Sequence, residues 1–401
     1  MKRYKLHFVH ICLLTLSLFI YGCSNNSVSP PTVSTDHTPM WPMFGFNGRH
    51  SANPFGVKVS IQSVNNGTIY WKDTLGPYSH FTDASESCID ATGNIYMIAD
   101  KADSSSIIKL RSDGTIIWKR DSLTAGKYYG FALSNDETRV YYKDMYHFTC
   151  RDSSGNKLWS INGWSDGSTP VIGKDGTIYV CFDDMLNAVS PDGSIKWQTL
   201  QISVPSSHPA LDRDENIYIL QYYNQDELIK FDKNGNLIWK KNLNLTIQLD
   251  FTSVVIDGFN NLYFQINDTL YSYDNNGNKR WQKCAKWGAQ IPAITSDNGI
   301  ISDSLNNIVK YDLNGNIIWS FLVQANLTIL NSIILDDVNN SYLIVYLDYQ
   351  SYIISADKDG NSRWNYNMSS FNWMGYPGIV ISPNQFLFSS YSKPNVIFTI
   401  R

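Results

Sequence analysis

The chain has 401 residues, 43% of them apolar and 14% aromatic but only 17% charged, and its formal net charge is −4. That is ample apolar material for a large core, and runs suited to long amphipathic helices are missing. A nucleic-acid role is disfavoured, because no basic excess exists to neutralise phosphates.

The chain starts with Lys2, Arg3 and Lys5, followed by an apolar run from about Phe8 to Ile20. Such a run is too short for a transmembrane helix, which needs roughly 20 residues, and it reads as a processing segment. It ends in Ile20-Tyr21-Gly22-Cys23 and a polar Ser/Asn/Pro/Thr stretch. This resembles a bacterial lipoprotein signal, although Tyr21 is bulkier than the pattern carries; an ordinary secretory signal is the alternative. Residues 1–22 are thus expected to be a signal peptide, with Cys23 the lipidated N-terminus of an outer-membrane lipoprotein. Each buried acyl methylene would contribute about 0.8 kcal/mol to anchoring. Residues 23–40 cannot bury enough surface to fold and form a flexible tether. Residues 41–401 form one domain. Losing the signal removes three cations and no anions, which leaves the mature chain more acidic still.

From here a single pattern runs to the C-terminus: Gly, three residues, Trp. It pairs Gly67 with Trp71, Gly114 with Trp118, Gly155 with Trp159 and Gly193 with Trp197. It continues through Gly235 and Trp239, Gly277 and Trp281, Gly315 and Trp319, and Gly360 and Trp364. Successive tryptophans lie about 42 residues apart, the period of a four-stranded propeller blade. One unit shows how the period is filled. "TPVIG" reads as an inner strand, "KDG" as a turn and "TIYVCF" as a second strand. "LNAVS" is a third, "PDG" another turn, and "SIKWQT" the outermost strand. Asn-Gly and Asp-Gly supply the positive φ of tight hairpins. The carboxylates of "DKDG" do not suit calcium, because a calcium loop needs Gly at its sixth position and Glu at its twelfth.

The chain ends set the blade count. A lone outer strand, Gly67 to Leu75, precedes the first whole unit, and "GIVISP", "QFLFSSY" and "NVIFTIR" follow the last. Joined, they make one more blade and remove two exposed sheet edges. The expectation is an all-β, eight-bladed β-propeller of four-stranded antiparallel blades, closed by the N-terminal strand joining the C-terminal ones. A seven-bladed ring with a decorated end is the alternative.

The repeat "GTIYVCFDDMLNAVSPDGSIKW" and the segment "WPMFGFNGRHSANPFG" (Trp41 to Gly56) resemble pyrroloquinoline-quinone-like (PQQ-like) β-propellers over nearly all of the mature chain. The resemblance implies that Trp71, Trp118, Trp159, Trp197, Trp239, Trp281, Trp319 and Trp364 dock each blade against the next. The hairpin at Asp357 to Gly360 is one residue shorter than in the quinoprotein dehydrogenases and more like the cofactor-free branch. The dehydrogenases hold their quinone beside two adjacent cysteines, a pair this sequence lacks. No cofactor, no metal and no enzymatic activity are expected. His-Glu-x-x-His is absent, and His80, His147 and His208 sit singly in different units. Cys88, Cys150, Cys181 and Cys284 fall at different places in the repeat and read as small buried hydrophobes.

A partner is expected on the face carrying the blade-to-blade connections, which differ from unit to unit while the Asp/Asn/Gly turns are stereotyped. These connections hold Tyr129, Trp164, Asp166, His208, Asp250, Trp287, Gln290, Trp373 and Tyr376, with Tyr78, His80 and Tyr128 beside them. Aromatics interleaved with acids and amides suit a protein hot spot or a sugar platform, unless they plug the channel and pack between blades. The sequence therefore leaves two readings. One is a monomeric, lipid-anchored protein-interaction scaffold of the envelope. The other is a surface lipoprotein that binds a glycan or small ligand.

Overall fold

The computed structural model describes residues 69–73, 87–101, 104–123, 130–164, 168–199, 208–221, 227–245, 253–266, 268–285, 291–304, 307–322, 328–329, 333–347, 350–367, 379–382, 385–389 and 397–400. Every described element is a strand. No helix among the described residues is long and apolar enough to cross a membrane. The signal, Cys23 and the tether lie outside the described residues.

The first strand, β1 (Ile69–Asp73), precedes a sheet of β2 (Cys88–Ile89), β3 (Ile95–Lys101), β4 (Ser104–Leu110) and β5 (Ile116–Leu123). Next come β6 (Gly130–Leu133), β7 (Arg139–Lys143), β8 (His147–Asp152) and β9 (Lys157–Asn162). The third sheet holds β10 (Val171–Ile172), β11 (Ile178–Phe182), β12 (Met185–Val189) and β13 (Ile195–Gln198). The fourth is β14 (Ala210–Leu211), β15 (Ile217–Gln221), β16 (Glu227–Phe231) and β17 (Leu237–Asn242). The fifth is β18 (Val255–Ile256), β19 (Leu262–Ile266), β20 (Thr269–Tyr273) and β21 (Lys279–Cys284). The sixth is β22 (Ala293–Ile294), β23 (Ile300–Ser304), β24 (Asn307–Tyr311) and β25 (Ile317–Leu322).

The seventh sheet has five strands: β26 (Thr328–Ile329), β27 (Ile334–Leu335), β28 (Ser341–Leu347), β29 (Gln350–Ala356) and β30 (Ser362–Asn367). Four were expected. Its inner strand comes in two pieces because β28 is long enough to pair with β27 through Tyr342 and with β26 through Val345 and Tyr346. The last sheet takes β31 (Ile379–Ser382), β32 (Gln385–Ser389), β33 (Ile397–Ile400) and, antiparallel to β33, the N-terminal β1. Within the first sheet, β2 packs beside β6 of the second and also beside β31 of the last.

Strands in the middle of a sheet are buried on both faces. β11 (IYVCF) and β15 (IYILQ) are buried at every residue, so they read as continuous apolar runs and not as alternating ones. Outermost strands such as β9, β17 and β25 alternate from their third residue on. Each outer strand of the first seven sheets also carries a bulge beside its tryptophan. In the fourth sheet Lys230 faces Trp239 while Phe231 faces Leu237, leaving Ile238 as the extra residue. Leu237 and Ile238 are consequently both exposed. A bulge on the outermost strand disturbs the ladder that would otherwise accept a foreign strand.

Neighbouring sheets are locked together at their turns. The indole nitrogen of Trp118 donates to the Ser153 carbonyl at 2.9 Å, Trp159 to Pro191 at 2.9 Å and Trp197 to Lys233 at 3.1 Å. Trp239, Trp281 and Trp319 do the same to Asn275, Leu313 and Lys358. Each acceptor lies in the outer turn of the following sheet, whose glycine rests on the same indole. A Cβ at Gly235 would stand 2.7 Å from Trp197 Cε3. Gly235 thus meets two demands at once, a φ of +83° and close approach of its backbone to a ring. On the inner turns, Glu137, Glu215, Asn298 and Asn339 adopt positive φ although they are not glycine. Each accepts a backbone N–H from the preceding sheet, at Ala91, Lys174, Gly258 and Ser296 respectively.

Candidate functional site

The two ends of the sheets differ in chemistry. At the hairpin-turn end, an aspartate opens each of many turns and its carboxylate is consumed within the turn. Asp232 Oδ1 accepts the amides of Asn234 and Asn236, both at 2.8 Å, and its Oδ2 accepts the Asn236 side-chain amide. Asp152, Asp274, Asp312 and Asp357 repeat the arrangement. Burial works to raise the Asp232 carboxyl, but these bonds outweigh it and hold its pKa below the usual value. With its lone pairs so occupied the carboxylate braces a turn, and among the described residues no group of three His, Cys, Asp or Glu could hold a metal ion.

The inner turns add a tyrosine. Tyr218, Tyr263 and Tyr342 donate to Asp212, Asp257 and Asp336 at 2.9, 2.8 and 2.7 Å. A cation joins each group: Lys230 lies 3.8 Å from Asp212, while Arg280 and Arg363 donate to Tyr263 and Tyr342. The sequence signal was present, as Asp-x-x-x-Asn-x-Tyr in "DRDENIY", "DGFNNLY" and "DDVNNSY". These buried groups are satisfied and stiffen the scaffold.

The connections expected to carry function would join the strand ends opposite those turns. Tyr129, Asp166, Asp250, Trp287, Gln290, Trp373 and Tyr376 lie outside the described residues, as do Tyr78, His80 and Tyr128. Trp164 is described and is 43% exposed. His208 is not a rim residue. It is buried at 8% exposure and its Nδ1 accepts the Thr169 amide at 2.8 Å. It stands beside the start of an inner strand, where it faces the neighbouring sheet and not solvent. Burial lowers its pKa to about 4, so the imidazole is neutral. Cys284 corrects another expectation. It is exposed at the end of β21, whereas Cys88, Cys150 and Cys181 are buried, and all four are free thiols.

Around Trp164 the structure assembles residues that the connections alone do not supply. The turn between β7 and β8 and the turn between β11 and β12 both reach this end. Gly163 donates to the Tyr146 carbonyl at 2.8 Å. Trp164 donates to Asp183 Oδ1 at 2.7 Å, and the Asp183 amide returns a bond to the Trp164 carbonyl, also at 2.7 Å. Asp144 accepts the amides of Tyr146 and His147 and lies 3.2 Å from the His147 ring. Beneath them Lys143 is wholly buried, and its ammonium donates to the carbonyls of Gly163, at 2.7 Å, and Asp144. Burial pushes its pKa down to about 8 against the pull of Asp144 and Asp183. Two segments are thereby pinned to one cation, and Tyr146 and Trp164 stand out from them at 46% and 43% exposure. Tyr146 carries no such signal in the sequence, because it lies in a short turn within a blade and not in a blade-to-blade connection.

The model of a PQQ-type repeat family described as outer membrane protein assembly factor BamB matches residues 224–373. Among solved structures, BamB from Moraxella catarrhalis is similar with a TM-score of 0.56 at 15% identity, covering 84% of this chain and 99% of that one. The Dos1 propeller gives a TM-score of 0.55 at 12% identity, covering 83% and 95%. No curated protein matches the chain. At such identities the likeness is one of fold: an all-β propeller.

Proposed function

We propose that this chain, a PQQ-like β-propeller repeat protein resembling BamB, is a non-enzymatic, lipid-anchored scaffold that binds a protein partner at the bacterial cell envelope, in the assembly of outer-membrane proteins. Its eight sheets are the blades of one closed ring. The pairing of β1 with β33 and the packing of β2 beside both β6 and β31 support closure. Ile20-Tyr21-Gly22-Cys23 supports the anchor.

The observation that carries the binding role is the exposed aromatic pair Tyr146 and Trp164, set on hydrogen-bonded turns at the end with variable loops. Large rings on a rigid base lose little entropy on binding, and interface hot spots are enriched in them. The same pair favours a second reading, a glycan-binding lipoprotein.

The test is in-cell crosslinking of the tagged protein, followed by mass spectrometry of what co-purifies from membranes. The scaffold reading expects a β-barrel assembly protein, lost when Trp164, Trp287 and Trp373 are replaced by Ala. Recovery of no specific protein would sink it and move the glycan reading forward. Separately, Cys23→Ala should release a folded propeller from membranes, and a variant that still sediments with them would refute the anchor.

A further inference from the structure

We propose that Tyr146, Trp164, Asp183 and Asp184 form a docking patch for a cationic segment of the partner protein, whose arginine or lysine side chains lie over the two rings. The inference rests on the scaffold reading and gives it a place and a chemistry.

Among the described residues, Tyr146 and Trp164 are the only aromatics in the set of exposed large hydrophobic side chains; the others are aliphatic and most of them belong to outer strands. They do not arise independently. The Gly163 amide, one residue before Trp164, bonds the Tyr146 carbonyl, so the two rings issue from one hydrogen-bonded framework built by two adjacent sheets. The patch is preformed, which lowers the entropy cost of binding.

Its net charge is negative. The groups gathered here are the buried Lys143 ammonium and the carboxylates of Asp144 and Asp183, with His147 beside Asp144 and Asp184 next to Asp183 along the turn. Carboxylates outnumber the one ammonium here, and the chain as a whole is acidic. Asp183 and Asp184 occupy the turn with φ of 52° and 56°. Glycine or asparagine would serve that backbone with less strain, so the turn keeps two carboxylates where its conformation does not require them. Asp183 Oδ1 and Asp144 Oδ1 are engaged by backbone amides, an arrangement that suits a diffuse negative field and not chelation. A field of this kind beside two π-faces fits a guanidinium or ammonium.

The test uses the full chain in detergent and two fluorescein-labelled 12-residue peptides of equal apolar content, one with four arginines and one with four glutamates. Fluorescence anisotropy should show the arginine peptide binding at least about tenfold more tightly, and losing affinity as salt rises. Trp164→Ala should weaken it about fivefold. So should the double change Asp183→Asn with Asp184→Asn, which keeps the acceptor for the Trp164 amide and suits the left-handed turn. Thermal unfolding of both variants should match that of the parent chain. Equal affinity for the two peptides, or no loss in the Asn variant, overturns the proposal. So does binding of maltohexaose that Trp164→Ala abolishes and the Asn variant does not, since that marks a sugar platform. If in-cell crosslinks to a partner persist in the Asn variant while the peptides fail, the scaffold reading survives and this patch does not.

Discussion

Replacing Gly235 by alanine separates the two demands placed on the repeated glycine, because Gly93 offers a control. Both residues sit in tight turns with nearly the same backbone, φ +83° and +84°. A Cβ at Gly93 would meet only Ser112 Cβ at 3.6 Å, an ordinary contact, whereas one at Gly235 would stand 2.7 and 2.8 Å from two atoms of the Trp197 indole. Gly93→Ala should therefore cost only the left-handed backbone strain, about 1–2 kcal/mol. Gly235→Ala should cost that and, in addition, about 1–3 kcal/mol for displacing a ring held by its bond to the Lys233 carbonyl. Urea unfolding followed by tryptophan fluorescence reads the difference as a lower midpoint at unchanged slope. In a Trp197→Leu background the excess should vanish, leaving the two glycine changes equal. Equal losses in the parent chain would refute the account of how one sheet docks on the next.

Two further expectations follow from buried groups. Lys143 has a folded pKa of about 8 against an ordinary 10.5, so between those values the unfolded chain holds more protons and stability rises with pH; below 8 the full cost of the buried charge is present, about 3 kcal/mol. Buried Cys150 and Cys181, raised to about 12, act in the opposite sense above pH 9, so the measurement is the stability difference between parent and Lys143→Met from pH 7.5 to 10.5; a flat difference would refute the assignment. His208, lowered to about 4, keeps its full contribution above pH 6.5 and loses it as pH falls toward 4, so His208→Gln should flatten the acid limb of the stability profile, and an unchanged limb would contradict its burial as a neutral ring.

Much of the fold was legible because it repeats. Glycine four residues before tryptophan marks a hairpin whichever blade carries it, and β10 to β13 fall within a residue or two of the strands read from "TPVIG" through "SIKWQT". What depended on a neighbouring sheet was not legible. Nothing in the sequence says that Gly235 is needed for Trp197 as much as for its own turn, or that the residue before each tryptophan bulges. His208 looked like a rim residue because "VPSSHPA" is a connection by composition, yet its ring is buried there and accepts the Thr169 amide of the preceding sheet. The patch at Tyr146 escaped for the converse reason: "KDMYH" is a short turn within a hairpin, and bonds to both the amide and the carbonyl of Gly163 bring it beside Trp164. Polar residues in stereotyped turns and polar residues that meet a partner look alike until the chain brings segments together.

The proposed ring of eight sheets stands or falls on the pairing of β1 with β33, which completes the last sheet. Lys72 and Phe398 are register partners in the β1–β33 pair. Cysteines placed at both positions, in a chain carrying Cys284→Ser, should join on mild oxidation of the folded protein. The covalently closed chain should run anomalously on a non-reducing gel, recover its normal mobility on reduction, and fail to form in urea. A folded protein in which these two cysteines never join would contradict the closed ring.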